Sequence, residues 1–313
     1  MTATPRVTVL GSMNMDISVA VPRLPGPGAT VLGSAARFAP GGKGGNQALA
    51  AARLGGQVRM AGCVGDDEFG GSLLAALEAE SVDASAVRRV TEMASGLAMI
   101  TVDPGGENMI TVAAGANEAV GEPEVAAATD PGDVLVISAE IPRTAIRAAL
   151  SRAHGRPYVC LLNLAPAPPE AADLIAGGVD WLVVNEPEAA AVLGTPVTGL
   201  PAARAAAADL VAAGARHAVV TAGAAGAAFA GPHGAGEVAG FRVTAVDSVG
   251  AGDTFVGALA VALGAGAPAQ VAVHAACAAA AVAATRRGTQ DAMPRPAEVT
   301  RLTGEPWPPG QSR

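Results

Sequence analysis

The stretch DSVGAGDTF, residues 247–255, places one carboxylate behind three small residues at the predicted start of a helix. The small residues are Gly250, Ala251 and Gly252, and the carboxylate is Asp253. Backbone amides in such a turn can bind an anion, and the helix dipole favours negative charge there. A carboxylate beside a bound phosphoryl group can accept the proton of an attacking hydroxyl. The residues alone leave two interpretations of Asp253 open, a helix cap and a catalytic base.

A second glycine-rich turn, PGGKGGNQALAAARLG at residues 40–55, opens directly into another predicted helix. Glycines let a ligand approach the backbone closely, and amides at a helix start point toward such a ligand. Gly42, Lys43 and Asn46 then supply a backbone surface and donors suited to hydroxyl groups. The spacing is not that of a P-loop, because Gly44 follows Lys43. A flexible turn capped by Asn46 is the alternative.

Two further short motifs carry acidic and amide side chains. In NMD, Asn14 and Asp16 follow the first predicted strand, and a carboxylate that accepts two hydroxyl hydrogens can hold a polyol. An Asx turn is the alternative there. In NEPE, Asn185 and Glu188 form either a capping arrangement or the edge of a phosphate site. In the second case Glu188 organises Mg²⁺ through water, because Mg²⁺ keeps several waters and takes few protein carboxylates.

The turn TAGAAG ends a later predicted strand with one hydroxyl and two glycines. Such a turn suits a nucleotide that lies against the backbone, although alone it is an ordinary turn. Its residues are Thr221, Ala222, Gly223, Ala224, Ala225 and Gly226.

The elements that must position these motifs are strands followed by Ala-rich helices. The pattern recurs at residues 6–12, 133–140, 158–166, 180–188 and 217–226. Near-continuous apolar strands that alternate with helices predict a parallel sheet covered on both faces. Ligands of such sheets bind beyond the carboxyl ends of the strands. Several polar residues are expected at that edge, namely Asn14, Asp16, Glu140, Asn163, Asn185, Glu188 and Thr221.

Two segments interrupt this alternation, residues 16–40 and 95–117. Both have hairpin character, and together they predict a small β-sheet that leaves the main domain and can close over its edge. An ordinary edge hairpin is the alternative. The main α/β domain is then assigned to residues 1–15, 41–94 and 118–313, and its Pro-rich end, residues 304–313, is expected to be frayed.

The composition excludes several classes of protein. The 313-residue chain has a net charge of −8, which argues against binding to nucleic acid. Cys63, Cys160 and Cys277 are scattered, which argues against disulfides and zinc and is typical of a reducing cytosol. The four histidines, His233 among them, lack metal-ligand spacing. The apolar run 255–284 is broken by GAGAPAQ and predicts two buried helices, not a membrane span. The N-terminal residues MTATPRVTVLGS have too short an apolar run for a signal peptide, and a cytoplasmic location is expected.

In order and spacing, GSMNMD, GGKGGNQA, NEPE and DSVGAGDTF resemble the ribokinase-like (pfkB) sugar kinase family, over residues from about 6 to about 298. The resemblance implies a three-layer αβα sandwich with a mostly parallel sheet and a small β-sheet lid. It also implies transfer of the γ-phosphoryl group of ATP to the 5-hydroxyl of D-ribose. The same chemistry on fructose, a deoxyribose or a nucleoside is the nearest alternative, and a non-catalytic sugar-binding protein is a more distant one. A dinucleotide-dependent dehydrogenase is disfavoured because the first strand is followed by GSMNMD and not by GxGxxG.

The resemblance also implies roles for individual residues. The sugar ligands would be Asn14, Asp16, Gly42, Lys43, Asn46, Glu140 and Asp253. Asp253 would be the base, beside the anion-binding turn Gly250, Ala251 and Gly252. ATP would lie along Asn185, the turn from Thr221 to Gly226, Gly252 and Cys277, with Glu188 organising Mg²⁺. Cys277 stands where relatives often carry Asn or His.

A monovalent cation, typically K⁺ in this family, is also implied. Its site would be formed largely by carbonyl groups near Asp247, Val249, Ala283, Arg286 and Gly288. Ala292 stands near that loop at a position that is Ser in some relatives. The lid formed by the two excursions closes over the sugar in this family and often pairs subunits, so a homodimer is expected.

Overall fold

The computed structural model describes residues 4–129, 132–232 and 234–308. His233 and the end of the predicted frayed tail, residues 309–313, lie outside these residues. In chain order the strands are β1 (Arg6–Leu10), β2 (Asn14–Ala20), β3 (Arg37–Gly41), β4 (Gln57–Gly65), β5 (Asp83–Val90), β6 (Gly96–Val102), β7 (Asn108–Ala113), β8 (Val134–Ser138), β9 (Val159–Asn163), β10 (Val179–Asn185), β11 (Ala215–Thr221), β12 (Gly226–Gly231) and β13 (Gly234–Ala239). The helices are α1 (Lys43–Arg53), α2 (Glu68–Ala79), α3 (Glu122–Ala128), α4 (Arg143–Ala153), α5 (Ala171–Ala176), α6 (Glu186–Leu193), α7 (Gly199–Ala212), α8 (Ala251–Gly264), α9 (Ala269–Ala284) and α10 (Pro296–Thr303).

The main sheet of the described chain has nine strands in the order β13-β12-β11-β10-β9-β8-β1-β4-β5. Pairing is parallel from β11 to β5, and the antiparallel pairs of this sheet are β11 with β12 and β12 with β13. The prediction of a mostly parallel sheet is therefore confirmed, and each of the five segments predicted as strands contains one. The sequence patterns did not identify β4, β5, β12 and β13.

Side chains alternate between two hydrophobic cores, one on each face of the sheet. In β8, Val134 and Val136 belong to the first core, whereas Leu135 and Ile137 belong to the second. The first core includes residues of α1, α8 and α9, and the second includes residues of α3, α4 and α7. Burial on both faces explains the near-continuous apolar strands and confirms the three-layer arrangement.

The apolar run from residue 255 to residue 284 forms α8 and α9, which pack against each other in the first core. The two predicted buried helices are thus confirmed. Across residues 4–129, 132–232 and 234–308, we find no helix with the length and hydropathy of a membrane span. All three cysteines are unpaired and buried, and burial raises the pKa of each thiol to about 12.

A separate four-stranded sheet, which we call the lid, has the order β3-β2-β6-β7. β2 pairs antiparallel with β3 and parallel with β6, and β7 pairs antiparallel with β6. The two excursions therefore form one sheet and not an ordinary edge hairpin. Its strands extend beyond the predicted 16–40, since β2 begins at Asn14 and β3 ends at Gly41. The backbone of Asn14 and Asp16 is consequently part of the lid.

The Pro-rich end of the chain is packed as far as it is described. The indole Nε1 of Trp307 donates a hydrogen bond to the carbonyl of Leu54 at 2.6 Å. Trp307 also packs against the first hydrophobic core. The expectation of a frayed end starting at residue 304 therefore does not hold for residues 304–308. The half-buried Trp307 anchors this segment, which its proline content did not indicate.

Candidate active site

Asp253 lies in the first turn of α8, and its side chain is 8% exposed. The N-cap residue is Gly250, whose φ of 76° is left-handed and which has no side chain to cap the helix. The Asp253 carboxylate instead accepts hydrogen bonds from Asn46 Nδ2 to Oδ2 at 3.0 Å and from Gln47 Nε2 to Oδ1 at 3.1 Å. The helix-cap interpretation is therefore wrong, because both carboxylate oxygens are directed at α1.

The predicted anion-binding turn is partly used by the protein itself. The Ala251 N–H donates to the carbonyl of Ser248 at 3.2 Å. Gly252 and Asp253 occupy the next two helical positions, where an amide has no intrahelical acceptor. Of the amides expected to bind an anion, those of Gly252 and Asp253 are therefore the two that have no acceptor within the helix.

The glycine-rich turn before α1 is required by packing inside the protein. Gly42 has a φ of 83°, and a Cβ on it would lie 2.6 Å from the backbone nitrogen of Asn14. A Cβ on Gly44 would lie 2.7 Å from the carbonyl carbon of Gly11. The start of α1 thus rests directly on the chain leaving β1. These glycines therefore allow two segments of the protein's own backbone to approach closely, whereas the sequence analysis predicted close approach of a ligand.

Two of the first amides of α1 are also satisfied internally. The Lys43 N–H donates to Glu140 Oε2 at 3.2 Å, and the Gly45 N–H donates to the carbonyl of Ser12 at 2.9 Å. Glu140 Oε2 accepts a second hydrogen bond from Ser12 Oγ at 2.6 Å. The Lys43 and Gly45 amides therefore do not point toward a ligand, whereas ligand binding by the rest of this turn stays a prediction. Asn46 lies inside the helix and is not its cap.

Asn14 is buried within β2 and is held by a residue that the sequence did not indicate. Its Oδ1 accepts a hydrogen bond from Asn117 Nδ2 at 2.8 Å. Asn117 also accepts from the Met13 N–H at 2.9 Å and donates to the Met13 carbonyl at 3.1 Å. Asn117 follows β7, so these hydrogen bonds connect the segment after β7 to the start of β2, the strand that carries Asn14. With its Oδ1 already engaged, Asn14 has its Nδ2 donor left for a ligand.

Asp16 is half-buried, and its pKa is raised to about 7. Burial is the largest cause, followed by the negative charges of Glu140 and Asp253. Gly41 makes room for the group, since a Cβ there would lie 2.3 Å from Asp16 Oδ2. The electrostatic effects show that these three carboxylates, predicted from separate motifs, lie close to one another.

Lys43 is the cation of this cluster. Its pKa is raised above the ordinary value chiefly by the charge of Asp253, with Glu140 and Glu188 acting in the same direction and burial opposing them. The ammonium group is thus held charged among carboxylates. The structure therefore brings together residues of all four motifs, and the resulting site is acidic with one central cation.

NEPE forms the capping arrangement at the start of α6. Asn185 Oδ1 accepts the Glu188 N–H at 2.8 Å, and Glu188 Oε2 accepts the Asn185 N–H at 2.9 Å. Burial raises the pKa of Glu188, while the Asn185 N–H and Lys43 lower it and Asp253 raises it further. Glu188 is therefore both a capping residue and a neighbour of the acidic site. A carboxylate with one oxygen engaged fits a water-mediated Mg²⁺ ligand.

The turn from Thr221 to Gly226 lies beside Asn185, which pairs in register with Thr221. Thr221 Oγ1 donates to the carbonyl of Val184 at 3.4 Å, and residues 223–225 form an exposed 3₁₀ turn. Cys277 is only 7% exposed and packs in the first core. Its contact with a nucleotide stays a prediction, as do the roles of the turn residues.

Of the residues implied in monovalent-cation binding, Ala283 lies in the last turn of α9 and the others lie on two adjoining loops, namely Asp247, Val249, Arg286 and Gly288. Asp247 joins the loops, because its carboxylate accepts the N–H groups of Val249 at 3.0 Å and Gly288 at 3.2 Å. The carbonyl of Ala283 accepts the Arg286 N–H at 3.1 Å. Carbonyl and carboxylate oxygens are the ligands that hard cations prefer. In the described ranges, no three or more His, Cys, Asp or Glu side chains form a cluster able to hold a metal ion.

Gln47 is the clearest functional candidate that the motif analysis missed. It is fully buried, and its Nε2 donates to Asp253 Oδ1 at 3.1 Å and to Asn163 Oδ1 at 2.9 Å. Asn163 in turn donates to the carbonyl of Val183 at 3.2 Å. The sequence did contain a signal for Gln47, because it directly follows Asn46 on a helix that was predicted to face the site.

Comparison with known proteins gives consistent matches along the chain. A family model described as pfkB family carbohydrate kinase matches residues 4–296. A ribokinase of Schizosaccharomyces pombe is 37% identical over 307 residues, covering 94% of this chain and 96% of that protein. A deoxyribokinase of Salmonella typhi is 33% identical, covering 92% and 95%. The structure of Arabidopsis thaliana ribokinase complexed with ribose and ATP matches with a TM-score of 0.84 at 27% identity, covering 96% and 99%.

Proposed function

The chain belongs to the pfkB family of carbohydrate kinases, and we propose that it transfers the γ-phosphoryl group of ATP to the 5-hydroxyl of D-ribose. One observation carries the proposal: Asp253, positioned by two side-chain amides, lies in one electrostatic cluster with Lys43, Asp16 and Glu140. A buried carboxylate at a helix N-terminus, next to hydroxyl-binding groups, is what phosphorylation of a sugar hydroxyl requires.

In the proposed reaction, the sugar is held on one side of Asp253 and ATP on the other. Asp16, Asn14 and the Lys43 ammonium would bind ring hydroxyls, and Glu140 with Asn46 would complete that set. The Asp253 carboxylate accepts the proton as the 5-hydroxyl oxygen forms its bond to the γ-phosphorus. The bond from that phosphorus to the β-γ bridging oxygen breaks, and ADP leaves.

The charge that develops on the phosphoryl oxygens must be stabilised by fixed groups. The amides of Gly252 and Asp253 and the dipole of α8 would supply positive potential there. Glu188 would hold Mg²⁺ through water, and the ion would supply positive charge to the phosphates of ATP. Asn185, the turn from Thr221 to Gly226 and Cys277 would line the nucleotide.

A monovalent cation, K⁺ by the family resemblance, is proposed for the two adjoining loops. Asp247 lies three residues before Gly250, so the loop that would hold the cation leads directly into the anion-binding turn. Carbonyl groups of Val249, Ala283 and Gly288 would supply the remaining oxygens. The cation would fix the conformation of that turn and add positive potential beside the phosphoryl group.

The choice of sugar is tested by measuring ADP release with a panel of ribose, 2-deoxyribose, fructose and adenosine. We expect the highest kcat/KM for ribose, since a site that binds a hydroxyl with buried polar groups disfavours a sugar lacking it by orders of magnitude. Faster turnover of deoxyribose, the alternative raised by the deoxyribokinase relative, would correct the substrate and keep the chemistry. Lack of ADP release with every sugar and nucleoside, despite ATP binding, would contradict the kinase proposal.

A homodimer formed through the lid is also proposed. Asp16 pairs with Ala98 and Ala98 with Val112, so these residues share one face of the lid. Ile110 lies two residues from Val112 on the same face, and the two side chains are 55% and 49% exposed. An apolar face of this kind, continuous with the sugar site, favours a contact with a second copy.

We expect the replacement Ile110→Asp to give a monomer in sedimentation velocity experiments at protein concentrations where the unchanged protein is a dimer. A charge buried in an apolar interface is strongly unfavourable. Val246→Asp is the matched control, because Val246 is 53% exposed but lies outside the lid. If the unchanged protein is itself a monomer, or if both variants remain dimers, the interface is assigned wrongly.

A cytoplasmic location is proposed as well. Three unpaired, buried cysteines support it, because thiols persist in reducing compartments.

A further inference from the structure

Each oxygen of the Asp253 carboxylate receives a hydrogen bond from a different amide side chain of α1. Oδ2 accepts from Asn46 and Oδ1 accepts from Gln47. Asn46 itself is 5% exposed, and its own Oδ1 accepts a hydrogen bond from Gln290 Nε2 at 3.0 Å. Gln290 lies outside every motif identified in the sequence, 244 residues from Asn46.

Only one arrangement of donors and acceptors is possible in the series of side chains Gln290, Asn46 and Asp253. An ionised carboxylate only accepts hydrogen bonds, so Asn46 must present Nδ2 to Asp253 and Oδ1 to the other side. Gln290 then has to present its Nε2 to that Oδ1. If residue 290 carried an acceptor instead, the Asn46 amide would have two possible orientations. In one, Asn46 Oδ1 would face that acceptor; in the other, the amide would be flipped and Oδ1 would face the Asp253 carboxylate. Both arrangements oppose two acceptors.

The loop that carries Gln290 is fastened to the same helix. The Arg53 guanidinium donates to the backbone carbonyl of Gln290 and, at 3.4 Å, to that of Met293. Arg53 is held in place by Glu80 at 2.9 Å. Asn46 and Arg53 are seven residues apart, two turns of α1, and so lie on one face of it. The backbone of Gln290 is therefore fixed independently of its side chain.

We propose that Gln290 is a positioning residue for the reaction, because it orients the Asn46 amide and thereby holds Asp253 Oδ2 in place. The inference rests on the proposed role of Asp253 as the base. Gln290 acts through Asn46. The substitution of a half-exposed side chain on an anchored loop leaves the hydrophobic core intact.

The test compares three substitutions at this position by kcat and by KM for sugar and ATP. Gln290→Met keeps the length and removes the donor, so we expect kcat to fall about 3- to 10-fold, the effect of one neutral hydrogen bond. Gln290→Glu replaces the donor by a charged acceptor and should lower kcat about 10- to 100-fold. Gln290→Lys restores a donor and should recover turnover relative to Gln290→Met.

The order of the three variants is the decisive result, because a purely structural role would follow side-chain size and not donor character. Gln57→Glu is the charge control, since Gln57 is exposed at the start of β4 and lies in none of the proposed binding or catalytic groups. Equal kcat for Gln290→Met, Gln290→Glu and the unchanged protein would overturn the inference. Asp253→Asn measured in parallel separates the two claims: if it retains turnover, the proposed base is wrong, whatever the residue 290 variants show.

Discussion

Asp253→Asn should lower kcat by about 10²- to 10⁴-fold, the range found when a general base is removed. An amide cannot accept the proton of the sugar hydroxyl, so the loss falls on the chemical step. KM for the sugar and for ATP should change far less, because Asn14, Asp16 and Lys43 are untouched. The measurement is steady-state ADP release over a range of sugar and ATP concentrations.

The same substitution also disturbs the two amides that hold the carboxylate. Asn46 and Gln47 both donate to Asp253, and an Asn side chain can accept at only one of its two ends. A donor then faces a donor, which costs about 1–3 kcal/mol of stability. Thermal unfolding with and without ADP must therefore accompany the kinetics.

Asp209→Asn is the control for loss of one negative charge, because Asp209 is exposed on α7. It should leave both turnover and thermal stability close to those of the unchanged protein. Near-normal turnover of Asp253→Asn, with the fold intact and ADP bound, would rule out Asp253 as the base.

Much of the fold was predictable because its signals are local. Strands buried on both faces produce uninterrupted apolar runs, as in β8 and β10, and the polar residues that follow them mark the edge of the sheet. β5 was missed because half of its sequence, DASAVRRV, is polar and its burial is incomplete. The lid was recognised as β-structure, but its strand boundaries depend on pairing between distant segments.

The individual site residues were predictable where they lie in short motifs. Asn117 and Gln290 were not, because each acts through a partner more than 100 residues away, Met13 and Asn46 respectively. Sequence spacing carries no information on such contacts. For the glycines at the start of α1, the sequence pattern did not reveal their contacts inside the protein. Their density suggested contact with a ligand, whereas Gly42 and Gly44 are required by the contact of α1 with the chain leaving β1.

Asp16→Asn should weaken sugar binding and, at the same time, stabilise the protein. A carboxylate that accepts two hydroxyl hydrogens contributes about 1.5–3 kcal/mol per charged hydrogen bond, so KM for the sugar should rise about 10- to 100-fold or more. In the unchanged protein, KM should also rise as the pH falls below about 7, because Asp16 then becomes protonated. Both effects are measured from initial rates at varied sugar concentration and pH.

The stability effect follows from the raised pKa of Asp16, about 7 in the folded protein against an ordinary value of 3.8. Between these two values the folded state binds more protons than the unfolded state, so stability is lost as the pH rises through that window. Asparagine carries no charge, and the gain in Tm from Asp16→Asn should therefore be larger at about pH 8 than at about pH 5. Each kcal/mol by which the free energy of unfolding differs should correspond to about 2–4 °C in Tm.

Asp209→Asn is the control, and its Tm relative to the unchanged protein should be the same at both pH values. An equal Tm difference at both pH values would mean that burial and the charges of Glu140 and Asp253 do not raise the pKa of Asp16. At neutral pH the raised pKa of Asp16 therefore costs stability, and the carboxylate is ionised in only part of the molecules, so a higher pH favours sugar binding and disfavours folding.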